Sequence, residues 1–208
     1  MLPRTIPIFP LPTVVLFPNV FLPLHIFEPR YREMVGEALS GDRLIGMTLL
    51  RPGWQDDYEG RPPVYQTGCA GLITHADRLP EGRFNIVLRG LSRFRIAAEE
   101  TGRAFRVASV ESLPDLVSER DRAALRDQRH RIEALLTTVL EGGEPPFPAS
   151  MPDEDLVNAL AQYLPLEPIE RQALLEKPGP VARCDSLIDL LEMRGFSSGR
   201  SWTSGAAH

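Results

Sequence analysis

The residues able to do chemistry in this chain are few and scattered. Its histidines, His25, His75, His130 and His208, share no metal-ligand spacing, and Cys69 and Cys184 lie far apart with no CxxC or similar cluster. Ser92 and Ser109 have no identifiable histidine–acid partnership, so nucleophilic catalysis has no support. Adjacent Asp56 and Asp57 have the charge to attract a cation, but an acidic pair in a polar loop is ordinarily just solvated. One lysine, Lys177, stands against twenty-two arginines. It sits in Glu176-Lys177-Pro178-Gly179 with no glycine-rich loop before it, so a phosphate-cradling GxxxxGK[ST] loop is absent. No cofactor, no metal and no enzymatic activity are expected.

Residues suited to binding are easier to find. The polar loop Arg51–Pro63 carries Trp54 and Tyr58 between charges. Aromatics on such a loop can grip an unfolded segment, because Trp and Tyr dominate interface energetics; the plainer alternative is that Trp54 folds back over the body of the domain. Phe21, in the apolar opening stretch, joins Trp54 and Tyr58 as a candidate peptide contact. A second set is basic. Arg83, Arg89, Arg93 and Arg95, with Arg103 and Arg106, fall at outward parity in a predicted hairpin region and would suit phosphates or an acidic peptide. Phe84 and Phe94 have inward parity, so the aromatic interleaving typical of nucleic-acid surfaces is missing. The commoner reading of that pattern is the solvated side of an antiparallel sheet. A net charge of −5 also argues against wholesale attraction to nucleic acid or anionic lipid.

The elements that must position these residues begin with an unusual stretch. Between Arg4 and Glu28 there is no acidic or basic residue except His25, yet five prolines (Pro7, Pro10, Pro12, Pro18, Pro23) interrupt it. Prolines so spaced remove amide donors and clash with preceding turns, which excludes a spanning helix; a secretory signal fits no better. Short buried strands remain, at Ile6–Phe9, Thr13–Phe17 and Val20–Phe27. Pro29 then opens a helix whose Tyr31, Met34, Val35, Ala38 and Leu39 form one stripe. Strands follow at Leu44–Leu50 and Gln66–Ala76, where Gly68, Ala70 and Gly71 signal a bulge or close packing. Phe84, Ile86 and Leu88 alternate with polar neighbours, Gly90-Leu91-Ser92 breaks the register, and a last strand is predicted at Phe105–Val110. Short strands so closely spaced imply an antiparallel barrel or sandwich.

Composition changes at Leu113-Pro114-Asp115, the expected boundary. Helices are predicted at Ser118–Glu141, Asp153–Leu164, Pro168–Lys177 and Val181–Met193. In the last, Cys184 shares a face with Leu187, Ile188 and Leu191 and reads as core filler. The tail, Ser197–His208, is expected to be disordered.

Taken in order, Ile6-Pro7-Ile8-Phe9-Pro10-Leu11, Val15-Leu16-Phe17-Pro18-Asn19 and Leu22–Tyr31, with its IFEPRY segment, resemble the Lon protease N-terminal (substrate-binding) domain family. Thr67-Gly68-Cys69-Ala70, Asn85–Ile96 (NIVLRGLSRFRI), Leu160–Leu164 (LAQYL) and Leu174-Leu175-Glu176 agree. The resemblance covers about residues 5–193. It implies an α+β fold, a PUA-like antiparallel β-barrel followed by a C-terminal helical bundle. The expected organisation is residues 1–114 as barrel with one helix, 115–196 as bundle and 197–208 as tail. It also implies the recognition module without the ATPase and Ser–Lys peptidase modules of Lon. The expected partners are therefore unfolded or client protein segments, with an ATP-dependent protease acting in trans. The expected binding place is a groove bordered by barrel and bundle. The alternative is a PUA-like module binding RNA or a small anion on the arginine face. Nucleic acid and membrane are not expected partners, and a cytoplasmic location is expected from the unclustered cysteines.

Overall fold

A computed structural model describes residues 2–58, 60–139, 147–148 and 150–197. Six strands and five α-helices occur among them: β1 (Thr5–Leu11), β2 (Phe21–Ile26), α1 (Pro29–Ser40), β3 (Leu44–Leu49), β4 (Thr67–Arg78), β5 (Phe84–Glu100), β6 (Arg106–Leu113), α2 (Glu119–Val139), α3 (Asp153–Tyr163), α4 (Pro168–Leu175) and α5 (Pro180–Ser197). The fold is α+β, as the family resemblance implied. Of the expected tail, Ser197–His208, Ser197 is the last residue of α5 and the rest lies outside the described residues.

The strands run β2-β5-β4-β3-β1-β6, and β6 pairs again with β5, so five of the six close into a ring. One pairing, β1 with β3, is parallel, where antiparallel pairing throughout was expected. The connection between them carries β2 and α1, long enough to bring the chain back in the same direction. Strand β2 pairs only with the first half of β5, which leaves its outer edge unpaired in the sheet.

Inside the ring, Ile6, Ile8, Ala70, Phe94 and Ala108 form a buried cluster. Small residues make room for the Phe94 ring. A Cβ at Gly46 would lie 2.9 Å from it, and one at Gly68 would lie 2.6 Å from it and 2.4 Å from the Met47 carbonyl oxygen. The predicted break at Gly90-Leu91-Ser92 is a bulge within a continuous 17-residue β5. Gly71 pairs with Gly90 and Ala70 with Ser92, so Leu91 is the extra residue. The Thr13–Phe17 segment belongs to no strand. Its Val15, Leu16 and Phe17 are buried, and the backbone of Phe17 comes so near Gly90 that a Cβ there would sit 2.0 Å from its carbonyl oxygen. Apolar packing holds this segment where ladder bonds do not.

Helix α1 starts as its sequence demands, with Glu28 extended and Pro29 in the first turn. Tyr31, Met34, Val35 and Ala38 are buried, and the Tyr31 ring lies 4.4 Å from that of Phe9.

The chain forms two compact units. One comprises residues 1–115 and 158–176, the other 116–157 and 177–208. The break after Asp115 coincides with the change in composition, but residues 158–176 go with the strands rather than with a contiguous bundle over 115–196. Polar anchors explain this. The Gln162 amide donates to the Phe21 carbonyl (3.1 Å), and its Oε1 accepts from the Phe17 amide (3.0 Å). The Tyr163 hydroxyl donates to the same Phe21 carbonyl at 2.8 Å, and Gln172 donates to the Thr67 carbonyl at 3.0 Å. In the second unit α2 packs on α5 through Leu125, Ile132, Leu187, Ile188 and Leu191, all buried. Arg129 bridges Asp153 and Glu133 there, each at 2.8 Å. Cys184 is buried in that core, and burial, with Asp185 and Asp153 nearby, pushes its thiol up to about 12. No described helix is long and apolar enough to cross a membrane.

Candidate functional site

The loop between β3 and β4 contains one 3-10 turn, Trp54–Asp57, entered through Gly53 at φ 87, a left-handed conformation that suits glycine. The Trp54 and Tyr58 rings meet edge to face with centroids 5.5 Å apart. Both are half-buried, and they line different cavities.

Tyr58 is tied to the start of α1. Its hydroxyl donates to Glu28 Oε1 at 2.7 Å, while Glu28 Oε2 accepts from Arg30 Nε at 3.1 Å and pairs with Nη2 at 3.0 Å. The Arg30 guanidinium lies over two rings, 4.7 Å from the Tyr31 centroid and 5.0 Å from that of Tyr58. Burial works against the Arg30 charge, but Tyr31 and Glu28 outweigh it and hold its pKa above the ordinary value. Burial, helped by the bond to Glu28, also raises the Tyr58 phenol. The IFEPRY segment thus fixes the aromatic loop, a role its spelling does not reveal.

On its other side Trp54 lines a cavity of about 230 Å³ with Pro12, Pro52, Tyr65, Pro168 and Ile169. Ile169 is 50% exposed, a large apolar side chain in the lining of that space. Helix α4 presents it from a firm base, because Glu167 and Glu170 form a capping box with Pro168 in the first turn. Phe21 does not join this cavity. It stands on β2, 49% exposed, opposite Arg89.

The arginines divide. Arg89 and Arg95 are exposed, and Arg83 is half-buried against Glu81 and the Pro80 carbonyl. Arg93 does not face outward. It is 6% exposed, pairs with Asp115 at 2.6 Å and donates to the Leu175 carbonyl at 3.1 Å, because the end of α4 covers that part of β5. Arg106 is likewise buried, on Glu99 at 2.5 Å. The expected basic sheet face therefore loses its central member. His25 is exposed and bonds Asn85 at 2.7 Å. Among the described residues no group of histidines, cysteines and carboxylates is placed to hold a metal ion.

The ring of strands, with helix α4 and the two loop cavities, defines an α+β domain. Residues 5–193 match the ATP-dependent protease La (LON) substrate-binding domain, and the chain belongs to that family. It is similar to the Lon protease of Trichlorobacter lovleyi, 27% identical over 197 residues that span 91% of this chain and 24% of that protein. The Lon protease of Cytophaga hutchinsonii is 25% identical over 203 residues, again 91% of this chain and 24% of the relative. The chain thus spans about a quarter of the length of these relatives. Among solved structures, the N-terminal domain of Mycobacterium avium complex Lon protease superimposes with a TM-score of 0.68 at 19% identity, over 91% of this chain and 98% of that one. The Lon N-terminal domain protein from Xanthomonas campestris gives 0.61 at 23% identity, over 89% and 97%. At these identities the two structures establish the fold alone.

Proposed function

We propose that this chain is a non-catalytic binding module that captures exposed apolar segments of client or partner proteins, and that it does so in the groove beside Trp54. One observation carries the reading. A half-buried tryptophan, held by a tethered loop, lines one space together with a half-exposed isoleucine and three prolines. Prolines and rigid aromatics offer apolar area with little side-chain entropy to lose. Membership of a substrate-binding domain family supports the same assignment. The captured segment would then be passed to a separate ATP-dependent protease acting in trans.

Titrating a permanently unfolded protein against the purified chain tests this. The expected affinity is micromolar in order, as a small apolar patch allows. Trp54→Ala and Ile169→Asp each weaken it by about tenfold or more, while raising salt changes it little. Absence of binding at about 100 μM, a level corresponding to only ~5.5 kcal/mol, or full affinity in Trp54→Ala, would remove the proposal.

A further inference from the structure

We propose a second binding site, for a carboxylate, in the cavity on the Tyr58 side of the loop. That cavity encloses about 290 Å³, and its lining includes Arg30, Tyr31, Arg61, Arg103 and Arg106. Four guanidiniums here meet three carboxylates: Glu28 on Arg30, Glu37 on Arg103 through two bonds of 2.7 and 2.9 Å, and Glu99 on Arg106. Arg61 is the remaining cation. Its Nη1 donates to the Glu100 carbonyl at 2.7 Å, and no described residue accepts from its Nε or Nη2. Among the described residues the wall thus holds one positive charge in excess, with donors to spare, which matches a monoanion better than a phosphate dianion.

Tyr31 supplies an independent pointer. The residue is 4% exposed, it lines the cavity, and its hydroxyl has no hydrogen-bond partner among the described residues. Its oxygen is not among the fully enclosed unpartnered atoms, so it opens on the cavity and is free to donate there. Burial pushes this phenol up to about 12, despite the opposing charge of Arg30, so it keeps its proton and can donate. An acceptor-only group such as a carboxylate satisfies Tyr31 and the free Arg61 donors together.

A chain end is the favoured source of that carboxylate. The cavity shares Arg30 and Tyr58 with a second, open one of about 500 Å³ walled by Phe27, which is 61% exposed. A terminal carboxylate at Arg61 and Tyr31 leaves the preceding apolar side chain room beside Phe27. Preference for a chain end over a free acid rests on the peptide-binding reading above; the anion site itself does not.

Calorimetric titration decides it, with an N-acetylated Ala-Ala-Ala-Leu peptide as free acid, the same peptide as C-terminal amide, and N-acetylleucine. The free-acid peptide binds at low salt, the amide binds about tenfold more weakly or worse, and Arg61→Gln and Tyr31→Phe each lose about fivefold. Melting curves of both variants confirm that they are folded. Binding by N-acetylleucine as tightly as by the peptide acid retains the site and assigns it to free acids. Equal affinity for acid and amide, or unchanged affinity in Arg61→Gln, overturns the proposal. Ile169→Asp, remote from this lining, leaves this titration unchanged, so failure here and failure of the apolar groove are told apart; loss of binding in Ile169→Asp also overturns the proposal.

Discussion

Replacing Glu28 with glutamine should release the aromatic loop without unfolding the domain. Glu28 accepts the Tyr58 hydroxyl at 2.7 Å and pairs with Arg30 at 3.0 Å, and the two charged side chains are 22% and 19% exposed. A hydrogen bond to a charged group is worth about 1.5–3 kcal/mol and an exposed ion pair well under 1. With a fifth of each side chain in water, and glutamine still able to accept one bond, the combined loss is about 1–2 kcal/mol. That raises the population of the opened loop about 5- to 30-fold. Chymotrypsin reads it directly, because Trp54 and Tyr58 are cleavage sites inside the loop. Tryptic sites are useless here, since Arg51 and Arg61 both precede proline. Under conditions where the loop recloses faster than it is cut, cleavage at these two residues should accelerate by that factor. The global unfolding transition should move little, and Tyr58→Phe should reproduce part of the effect. Cleavage of Glu28→Gln at the wild-type rate would show that the tether contributes nothing, and the assignment of IFEPRY to loop fixation would fall.

Other expectations follow from buried groups. Asp115→Ala strands Arg93 at a site where the pair is only 7% and 14% exposed, and should cost about 3 kcal/mol in urea unfolding, whereas Arg93→Met with Asp115→Leu should recover most of it. Cys69 and Cys184 are 0% and 1% exposed, so a thiol reagent at pH 8 should find neither in the native protein and both in denaturant. Stability should fall as pH rises from 10 to 12. The unfolded chain releases the Tyr31 proton near 10 while the folded chain holds it to about 12, so the folded state binds more protons in that window. Cys184, raised from 9.0 to about 12, acts in the same direction, and Tyr31→Phe should flatten the decline. A pH-independent midpoint over this range would contradict both assignments.

Much of the fold was legible because its signals are local. Pro29 and the Tyr31–Ala38 stripe announce α1, and Pro168 announces α4. Alternation marks β5, and glycine marks its bulge. What escaped is non-local. Parallel pairing of β1 with β3 depends on how the chain returns, which periodicity does not encode. Arg93 has the outward parity of a solvated residue, and partners as distant as the carbonyl of Leu175, 82 positions away, make it a buried one. The attachment of residues 158–176 to the strands rests on Gln162, Tyr163 and Gln172, polar residues with no distinctive local pattern. Trp54 and Tyr58 were conspicuous as loop aromatics, yet their separation into two cavities was not. The arginine cavity draws Arg30, Arg61 and the Arg103–Arg106 pair from three separate segments, and no spacing rule joins them.

The most direct test is the fluorescence of Trp54 itself. Replacing Trp202, the other tryptophan, with phenylalanine leaves Trp54 as the sole reporter. Added unfolded protein should shift its emission to shorter wavelength and saturate in the micromolar range, as an apolar segment displaces water from the ring. Emission that stays unmoved while a separate assay records binding would place the contact elsewhere and contradict the account.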